Sequence, residues 1–263
     1  MIELSISSLC ADGFGDNDFV RTFEVLPRLG YRYVELNMWH PGDLMPAKIR
    51  DIRKRCDSTG LRTSCVYSSG FGGKDTKDAA HKVRMMEVAC ELGCRRISAT
   101  GGARGTDGGV EGVIRVLEKI VPAAEEMDVL ICLENHESNN LENIEDYSAI
   151  MKALDSPFVG ICVDTGHFDA AGVDMKKLID QFGSRVNHIH LKENRGFGTK
   201  LFTKFGEGTT DNAGIVELMK TRRYSGYVNI EISPTSEGLG PEGPTVEDLR
   251  ISREMFEPLM TRE

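Results

Sequence analysis

The sequence predicts a single-domain α/β protein with the (β/α)8 TIM barrel fold. Short runs rich in β-branched residues alternate with longer amphipathic runs along the 263 residues, and such alternation favours a parallel sheet with helical crossovers. Glycines that can end helices recur at near-regular spacing, in Leu29–Gly30, Thr59–Gly60 and Leu92–Gly93. This spacing indicates repeated βα units rather than two unlike domains. We therefore assign residues 1–263 to one domain.

Eight runs are strand candidates, and helix-like stretches separate them. The strand candidates are Ile2–Leu9, Tyr33–Leu36, Arg62–Tyr67, Arg96–Ala99, Val129–Leu133, Val159–Val163, Val186–Leu191 and Tyr227–Ile232. The helical stretches include Ala79–Leu92, Val113–Met127 and Tyr147–Leu154, and Thr245–Asp248 has the pattern of a capping box before a final helix. An open doubly wound sheet is the structural alternative. No Gly-x-Gly-x-x-Gly follows the first run, so the nucleotide-binding form of that fold lacks its main signal.

Net charge, the lengths of the apolar runs and the cysteines indicate which binding partners and which cellular compartment to expect. The net charge of −9 argues against nucleic acid, since duplex-binding proteins usually carry a basic face. The first residues lack the basic and apolar regions of a signal peptide, and no apolar run approaches the length of a membrane span. The seven cysteines include no Cys-x-x-Cys pair. We expect reduced thiols and a cytoplasmic setting, with no membrane partner.

Four strand candidates carry a polar side chain at or near their carboxyl end, where an apolar core residue would be usual. These side chains are Glu134, Asp164, His190 and Glu231. Because side chains alternate along a strand, each shares its face with the residue two positions earlier: Cys132, Cys162, His188 and Asn229. The four polar groups should therefore point into the barrel and converge at its carboxyl-terminal mouth, where barrel enzymes place their sites.

Three carboxylates and an imidazole cannot share a buried pocket as bare charges, because desolvation and mutual repulsion oppose it. A divalent cation resolves this conflict. Ligands that are mostly oxygen with one nitrogen favour Mn²⁺, which we expect first, and Mg²⁺ or Co²⁺, while Zn²⁺ also fits. Each residue taken alone is more often a helix cap or a salt-bridge partner. Four on consecutive strands with the same inward parity favour a metal site.

Five further residues are candidates for binding a substrate: Trp39, His136, His167, Lys192 and Arg195. Lys192 shares its parity with His190 and could orient a hydroxyl or carry protons, although a solvent-facing lysine explains it equally well. His167 follows Asp164 by three residues, and its alternative is an ordinary loop histidine. Arg195 has a surface role as its alternative, and Trp39 has core packing.

The stretch after the fourth strand candidate is rich in glycine, at positions 101, 102, 105, 108 and 109. A lid over the site and a mobile surface loop both fit this composition, and the surface loop is the simpler interpretation.

The ordered motifs LENH, VDTGH, HIHLK, FGEGTTD and GYVNIEIS lie between Val129 and Ser233. Together they resemble the xylose isomerase-like barrel superfamily, which includes sugar isomerases and epimerases, inosose dehydratases and apurinic endonucleases of the endonuclease IV type. The resemblance implies that Glu134, Asp164 and His190, with Glu231, hold the metal ion. It further implies that the two glutamates move protons, as in the ketose epimerases.

Some positions depart from particular members of the superfamily. Ketose 3-epimerases carry a further glutamate where this chain has Asn140, and their arginine stands one residue beyond Arg195. The His-x-His-x-Lys run is more similar to the inosose dehydratases, with Glu193 where an aspartate is usual. The match to endonuclease IV is confined to VDTGHFDAAG. Tyr67 and Thr100 stand near the places of its early histidines, so a trinuclear zinc site is not supported.

Four functions follow in order of preference. The first is a divalent-metal-dependent isomerase or epimerase of a sugar or sugar-like polyol, acting through an enediolate between Glu134 and Glu231. The second is a lyase on the same scaffold, of the inosose dehydratase or 3-keto-glycoside eliminase type. The third is a DNA-repair endonuclease, and the fourth is a metal-binding barrel without catalysis. We expect a small carbohydrate as the binding partner, and homo-oligomerisation remains open.

Overall fold

The computed structural model describes residues 1–14, 18–68, 70–71, 75–233 and 243–260. Eight parallel strands close a barrel, in which the first strand along the chain lies beside both the second and the last. The barrel strands are β1 (Ile2–Ser7), β2 (Tyr33–Asn37), β3 (Arg62–Tyr67), β4 (Arg96–Ala99), β5 (Leu130–Glu134), β6 (Val159–Asp164), β7 (Val186–Leu191) and β10 (Gly226–Ile230). A separate antiparallel pair is formed by β8 (Glu193–Asn194) and β9 (Phe202–Thr203).

Helices follow the barrel strands and cover the outside of the sheet. They are α1 (Leu9–Asp12), α2 (Val20–Val25), α3 (Pro46–Thr59), α4 (Asp75–Leu92), α5 (Gly109–Met127), α6 (Ile144–Ala153), α7 (Thr165–Ala171), α8 (Met175–Phe182), α9 (Asn212–Thr221) and α10 (Val246–Met260), with short 3-10 turns at Pro41–Leu44 and Gly183–Arg185. Within the residues described, no helix combines the length and apolar character needed to cross a bilayer.

The barrel confirms the fold that the sequence predicts. Gly30, Gly60 and Gly93 all have positive φ angles, of 86°, 76° and 77°, as expected where a helical run gives way to the next strand. The predicted capping box is also present, because the Thr245 amide donates to Asp248 and the Asp248 amide donates to Thr245 Oγ1. Local sequence signals thus mark where helices begin and end in the repeated βα units.

The structure differs from the sequence prediction at the ends of two barrel strands and in a short strand pair outside the barrel. The first strand ends at Ser7 rather than Leu9, because the Leu9 amide donates to Asn37 Oδ1 and the chain turns into α1. The last strand ends at Ile230, so Glu231 lies one residue beyond it. The β8–β9 pair is not predicted by any strand-like run. It carries Phe202 over the mouth of the barrel, where that ring lines the central cavity.

The glycine-rich loop after β4 is held by hydrogen bonds from the segment after β5. Asn140 accepts from the Gly105 amide and donates to the carbonyl oxygens of Gly101 and Thr106. Arg104 forms a bidentate pair with Asp146 at 2.7 and 3.2 Å. Asn140 therefore has a structural role in this chain.

Candidate active site

The four polar side chains predicted at the strand ends converge at the carboxyl-terminal mouth of the barrel. Glu134 ends β5, Asp164 ends β6, His190 lies in β7 and Glu231 follows β10. All four are buried, and one ligand atom from each lies within 4.8 Å of the others. Strand register contributes directly, since Asp164 pairs with His190 across β6 and β7.

The imidazole of His190 is the centre of this cluster. Its Nδ1 atom lies 2.6 Å from Glu134 Oε1, 3.1 Å from Glu231 Oε2 and 3.9 Å from Asp164 Oδ2. Its other nitrogen, Nε2, lies 3.0 Å from Glu35 Oε2, deeper in the barrel. One edge of the ring therefore faces the three carboxylates, and the opposite edge faces a fourth.

Asp164 divides two roles between its two oxygens. Oδ1 accepts the His167 amide at 2.8 Å and so caps helix α7. Oδ2 is buried and makes no hydrogen bond to any described residue, with Lys192 Nζ at 3.7 Å. The interpretation of Asp164 as a helix cap is therefore correct for Oδ1, whereas Oδ2 faces the cluster. A buried carboxylate oxygen without a hydrogen-bond partner is unusual and calls for a ligand.

Burial and repulsion act together on the charges of this cluster. The pKa of Asp164 is raised to about 8, chiefly by burial and further by the carboxylates of Glu231 and Glu134, against the opposing effect of the Lys192 ammonium. Burial also opposes ionisation of Glu231, but the Lys192 ammonium and the hydrogen bond from His190 hold the pKa of Glu231 well below its usual range. The Lys192 ammonium therefore favours the ionised form of Glu231 but does not offset the burial of Asp164.

This donor set fits a divalent metal ion. Glu134, Asp164, Glu231 and His190 offer three oxygen donors and one nitrogen donor within a small buried volume, a combination that hard or borderline divalent ions accept. The unpartnered Asp164 Oδ2 is the clearest sign of such a site. A second group, formed by His136, Glu137 and His167, also has ligand atoms within 4.8 Å but is less buried.

A cavity of about 500 Å³ opens above the cluster. Its lining includes four of the five predicted substrate contacts: Trp39, His136, His167 and Lys192. Part of the wall is aromatic, since Phe14, Tyr67 and Phe202 line the cavity together with Trp39. A volume of this size with mixed aromatic and polar walls suits a small polar molecule.

Lys192 and His167 form a connected pair on one wall of the cavity. Lys192 Nζ contacts Glu231 Oε1 and lies 3.1 Å from His167 Nε2. His167 Nδ1 contacts Glu137, and the His136 ring stacks on His167 with the ring centroids 3.8 Å apart. Burial lowers the pKa of both groups. Glu231 and Asp164 nevertheless raise the pKa of Lys192 above its usual value, whereas the Lys192 ammonium lowers the pKa of His167 further. Lys192 is thus the cation of the pair.

Arg195 is the predicted substrate contact that the structure places elsewhere. Its guanidinium pairs with Glu207 at 2.6 Å in the connection that follows β8, and about half of its side chain is exposed. It is not among the described residues that line the cavity. The pairing with Glu207 occupies its guanidinium.

The site contains three further residues that the sequence prediction did not name as candidates. Tyr67 donates its hydroxyl to Glu134 Oε2 at 2.5 Å, Glu137 contacts His167, and Glu35 binds both His188 and His190. A charged residue inside the strand Tyr33–Asn37 is the one signal that the sequence offered. Tyr67 and Glu137 carried no comparable signal, because their partners are distant in sequence or lie in a loop.

A larger cavity of about 660 Å³ lies at the opposite end of the barrel, beside Met1, Tyr31 and Arg253. The metal-capable groups found among the described residues do not border it. Since barrel enzymes place their sites at the carboxyl-terminal face, the smaller cavity is the better candidate.

Comparison with known proteins assigns the family. The family model described as xylose isomerase-like TIM barrel matches residues 23–255, so the chain belongs to the xylose isomerase-like TIM barrel family. An inosose dehydratase of Mesomycoplasma hyopneumoniae (strain 7448) is 25% identical over 138 residues. That match covers 46% of this chain and 46% of the relative, so it spans about half the length of that protein.

Solved structures share the fold over nearly the whole chain. The IOLI protein, crystallised with a bound zinc atom, superposes with a TM-score of 0.76 at 18% identity and covers 98% of both chains. The D-psicose 3-epimerase of Clostridium cellulolyticum H10, solved with D-tagatose, has a TM-score of 0.78 at 15% identity, covering 99% of this chain and 100% of the other. At these identities the likeness is one of fold.

Proposed function

We propose that the protein is a divalent-metal-dependent isomerase or epimerase of a sugar or sugar-like polyol. The observation that carries this proposal is the buried pair Glu134, at the end of β5, and Glu231, just after β10, which converge with Asp164 and His190 beneath the cavity from strands that are not neighbours. The names of the epimerase and dehydratase relatives support a small carbohydrate as substrate. We propose Mn²⁺ as the ion held by the four residues, with Mg²⁺, Co²⁺ and Zn²⁺ as alternatives.

The two glutamates would share the proton transfer. When bound, the ion would polarise a substrate carbonyl and its neighbouring hydroxyl, which makes the adjacent C–H more acidic. One glutamate takes this proton, and the C–H electron pair forms the double bond of an enediolate. The other glutamate, which enters the step protonated, gives its proton to the opposite face of that carbon or to the adjacent carbon, so the first glutamate ends protonated and the second ends ionised. Tyr67 holds Glu134 in place through its hydroxyl, and Lys192 holds Glu231.

The enclosing side chains would bind and orient the substrate. Lys192 and His167 present hydrogen-bonding groups to one side of the cavity, while Trp39 and Phe202 offer apolar faces. The C–H face of a sugar ring packs well on an aromatic ring, and its hydroxyls need fixed polar partners. We propose His136 as a further contact. Arg195 remains a candidate only if its pairing with Glu207 breaks.

A substrate screen in deuterated buffer tests the proposal. Ketoses and inososes would be incubated with the Mn²⁺-loaded protein, and the products followed by NMR and mass spectrometry. We expect at least one substrate to gain deuterium at a carbon next to its carbonyl and to be converted to an isomer of the same composition. The absence of exchange in every ketose and inosose would contradict the proposal.

A lyase is the second candidate, favoured by the contact of Lys192 with both Glu231 and His167. In a β-elimination, a glutamate removes the proton next to the carbonyl and the C–O bond at the next carbon breaks. The Lys192 ammonium is well placed to protonate the departing hydroxyl, which leaves as water. In the same screen, a product that has lost one water would favour this reaction over isomerisation.

We predict that the protein does not cleave DNA at abasic sites. The net charge of −9 opposes binding to a phosphate backbone, and Tyr67 and Thr100 stand near the places where the resemblance to endonuclease IV would require histidines. The measurement is nicking of an abasic duplex by purified metal-loaded protein at moderate salt, with an endonuclease IV as the positive control. Efficient nicking would revive the repair hypothesis.

A further inference from the structure

Glu35 reaches across the barrel interior from β2 to the metal-capable histidine on β7. Its Oε2 atom lies 3.0 Å from His190 Nε2 and 2.9 Å from His188 Nε2, and all three side chains are fully buried. Its Oε1 atom accepts weakly from Asn229 Nδ2 at 3.4 Å. The carboxylate is therefore fixed by groups on two other strands and has little freedom to rotate.

The hydrogen bond from His190 determines which ring nitrogen can bind a cation. Glu35 Oε2 lies within hydrogen-bond distance of two imidazole nitrogens and serves as their shared acceptor, so the His190 nitrogen that faces it carries a proton. That nitrogen is Nε2. The other nitrogen, Nδ1, faces the oxygens of Glu134 and Glu231 at 2.6 and 3.1 Å, so it is the ring nitrogen that would exchange its proton for an ion held by those oxygens.

We propose that Glu35 is the positioning residue of the metal site, fixing the tautomer of His190 so that Nε2 keeps its proton and Nδ1 binds the cation. The inference rests on the proposed metal site. It adds a residue that touches neither ion nor substrate. A carboxylate bonded to the far side of a ligating imidazole fixes the ring orientation and increases its basicity. Because Glu35 is anchored by His188 as well, the geometry is set before the ion arrives.

The alternative is that Glu35 and its neighbours bind a second metal ion, deeper in the barrel than the four-residue cluster. Glu35, Cys65 and His188 have ligand atoms within 4.8 Å of one another. The observed contacts favour positioning, because Glu35 Oε2 already accepts from two imidazoles. An ion bound to that oxygen would displace the hydrogen bond from His190. Metal stoichiometry therefore separates the two uses, and a second ion per chain that is lost when Cys65 is replaced by serine would overturn the positioning role.

Histidine-selective ¹⁵N labelling of the Zn²⁺-loaded protein tests the tautomer directly. Long-range ¹H–¹⁵N correlation spectra identify the protonated and the metal-bound nitrogen of each ring, and His190→Gln assigns the signals. We expect the His190 ring to be metal-bound at Nδ1 and protonated at Nε2. Metal bound through Nε2 would overturn the proposal while leaving the metal site itself intact. A wild-type protein that binds no Zn²⁺ or Mn²⁺ would instead refute the proposed metal-dependent function, and this inference with it.

Glu35→Gln tests the energetic role. Gln is similar in shape but uncharged, and we expect the metal dissociation constant to rise by about 10- to 100-fold, measured by competition with a fluorescent chelator. The matched variant Glu193→Gln makes the same change at a buried carboxylate that accepts from the Thr210 and Gly206 amides, and should leave the dissociation constant near that of the wild type. If Glu35→Gln does not fold, Glu35→Asp retains the charge on a shorter arm and should weaken binding in the same direction. Unchanged affinity in a folded Glu35 variant would contradict the proposal.

Discussion

Glu134→Gln and Glu231→Gln are each expected to lower turnover of the substrate by at least about 100-fold, the low end for loss of a general base. Gln retains the shape of the side chain but cannot take up a proton, and it binds a divalent ion less strongly. The two residues lie on β5 and just after β10, which are not neighbours in the barrel, so each can face one side of a flat enediolate. Steady-state kinetics at saturating Mn²⁺ measures the loss.

Isotope exchange distinguishes a lost base from a lost metal ion. With one glutamate replaced, the remaining glutamate can still remove and return a proton on its own face, so partial solvent exchange should persist without net conversion. Glu193→Gln is the matched control, because Glu193 is buried near the mouth but binds the Thr210 and Gly206 amides. It should retain turnover. Full metal occupancy with near wild-type turnover in both glutamate variants would show that the two-glutamate mechanism is wrong.

Removal of divalent ions is expected to lower the melting temperature, and Mn²⁺ should restore it. The cation offsets repulsion among buried carboxylates, and a ligand at about 100 times its dissociation constant stabilises the folded state by about 2.7 kcal/mol. For a chain of this size that corresponds to roughly 5–10 °C. Thermal unfolding with chelator, and then with added Mn²⁺, measures the shift.

Two buried aspartates provide a matched pair for this measurement. Asp164→Asn removes one of the four proposed ligands, so its melting temperature should no longer respond to Mn²⁺. Asp169→Asn alters a buried aspartate five positions later that accepts from Asn194 at 2.9 Å, and its response should persist. An equal Mn²⁺ response in both variants would place the ion somewhere other than the four-residue cluster.

The sequence was sufficient to predict the fold and the cluster because both depend on local periodicity. Alternating β and α runs predicted the barrel, and the two-residue period of strands predicted which side chains point inward. Glu134, Asp164 and His190 come from consecutive strands, so their convergence follows from the closure of the sheet. No pairing between distant residues had to be known.

The surroundings of the cluster could not be predicted in the same way. Glu35 reaches His190 across 155 positions of sequence, and no local pattern specifies that contact. The β8–β9 pair has only two residues in each strand, too few for a periodic signal, yet it brings Phe202 to the cavity. Arg195 was singled out by its position after β7, and its pairing with Glu207 depends on the fold of a loop.

Anomalous diffraction from crystals grown with Mn²⁺ tests the central claim most directly. The account predicts one strong manganese peak per chain, within coordination distance of Glu134, Asp164, His190 and Glu231. Absence of a peak at this cluster, or a peak held instead by His136, Glu137 and His167 nearer the mouth, would contradict it.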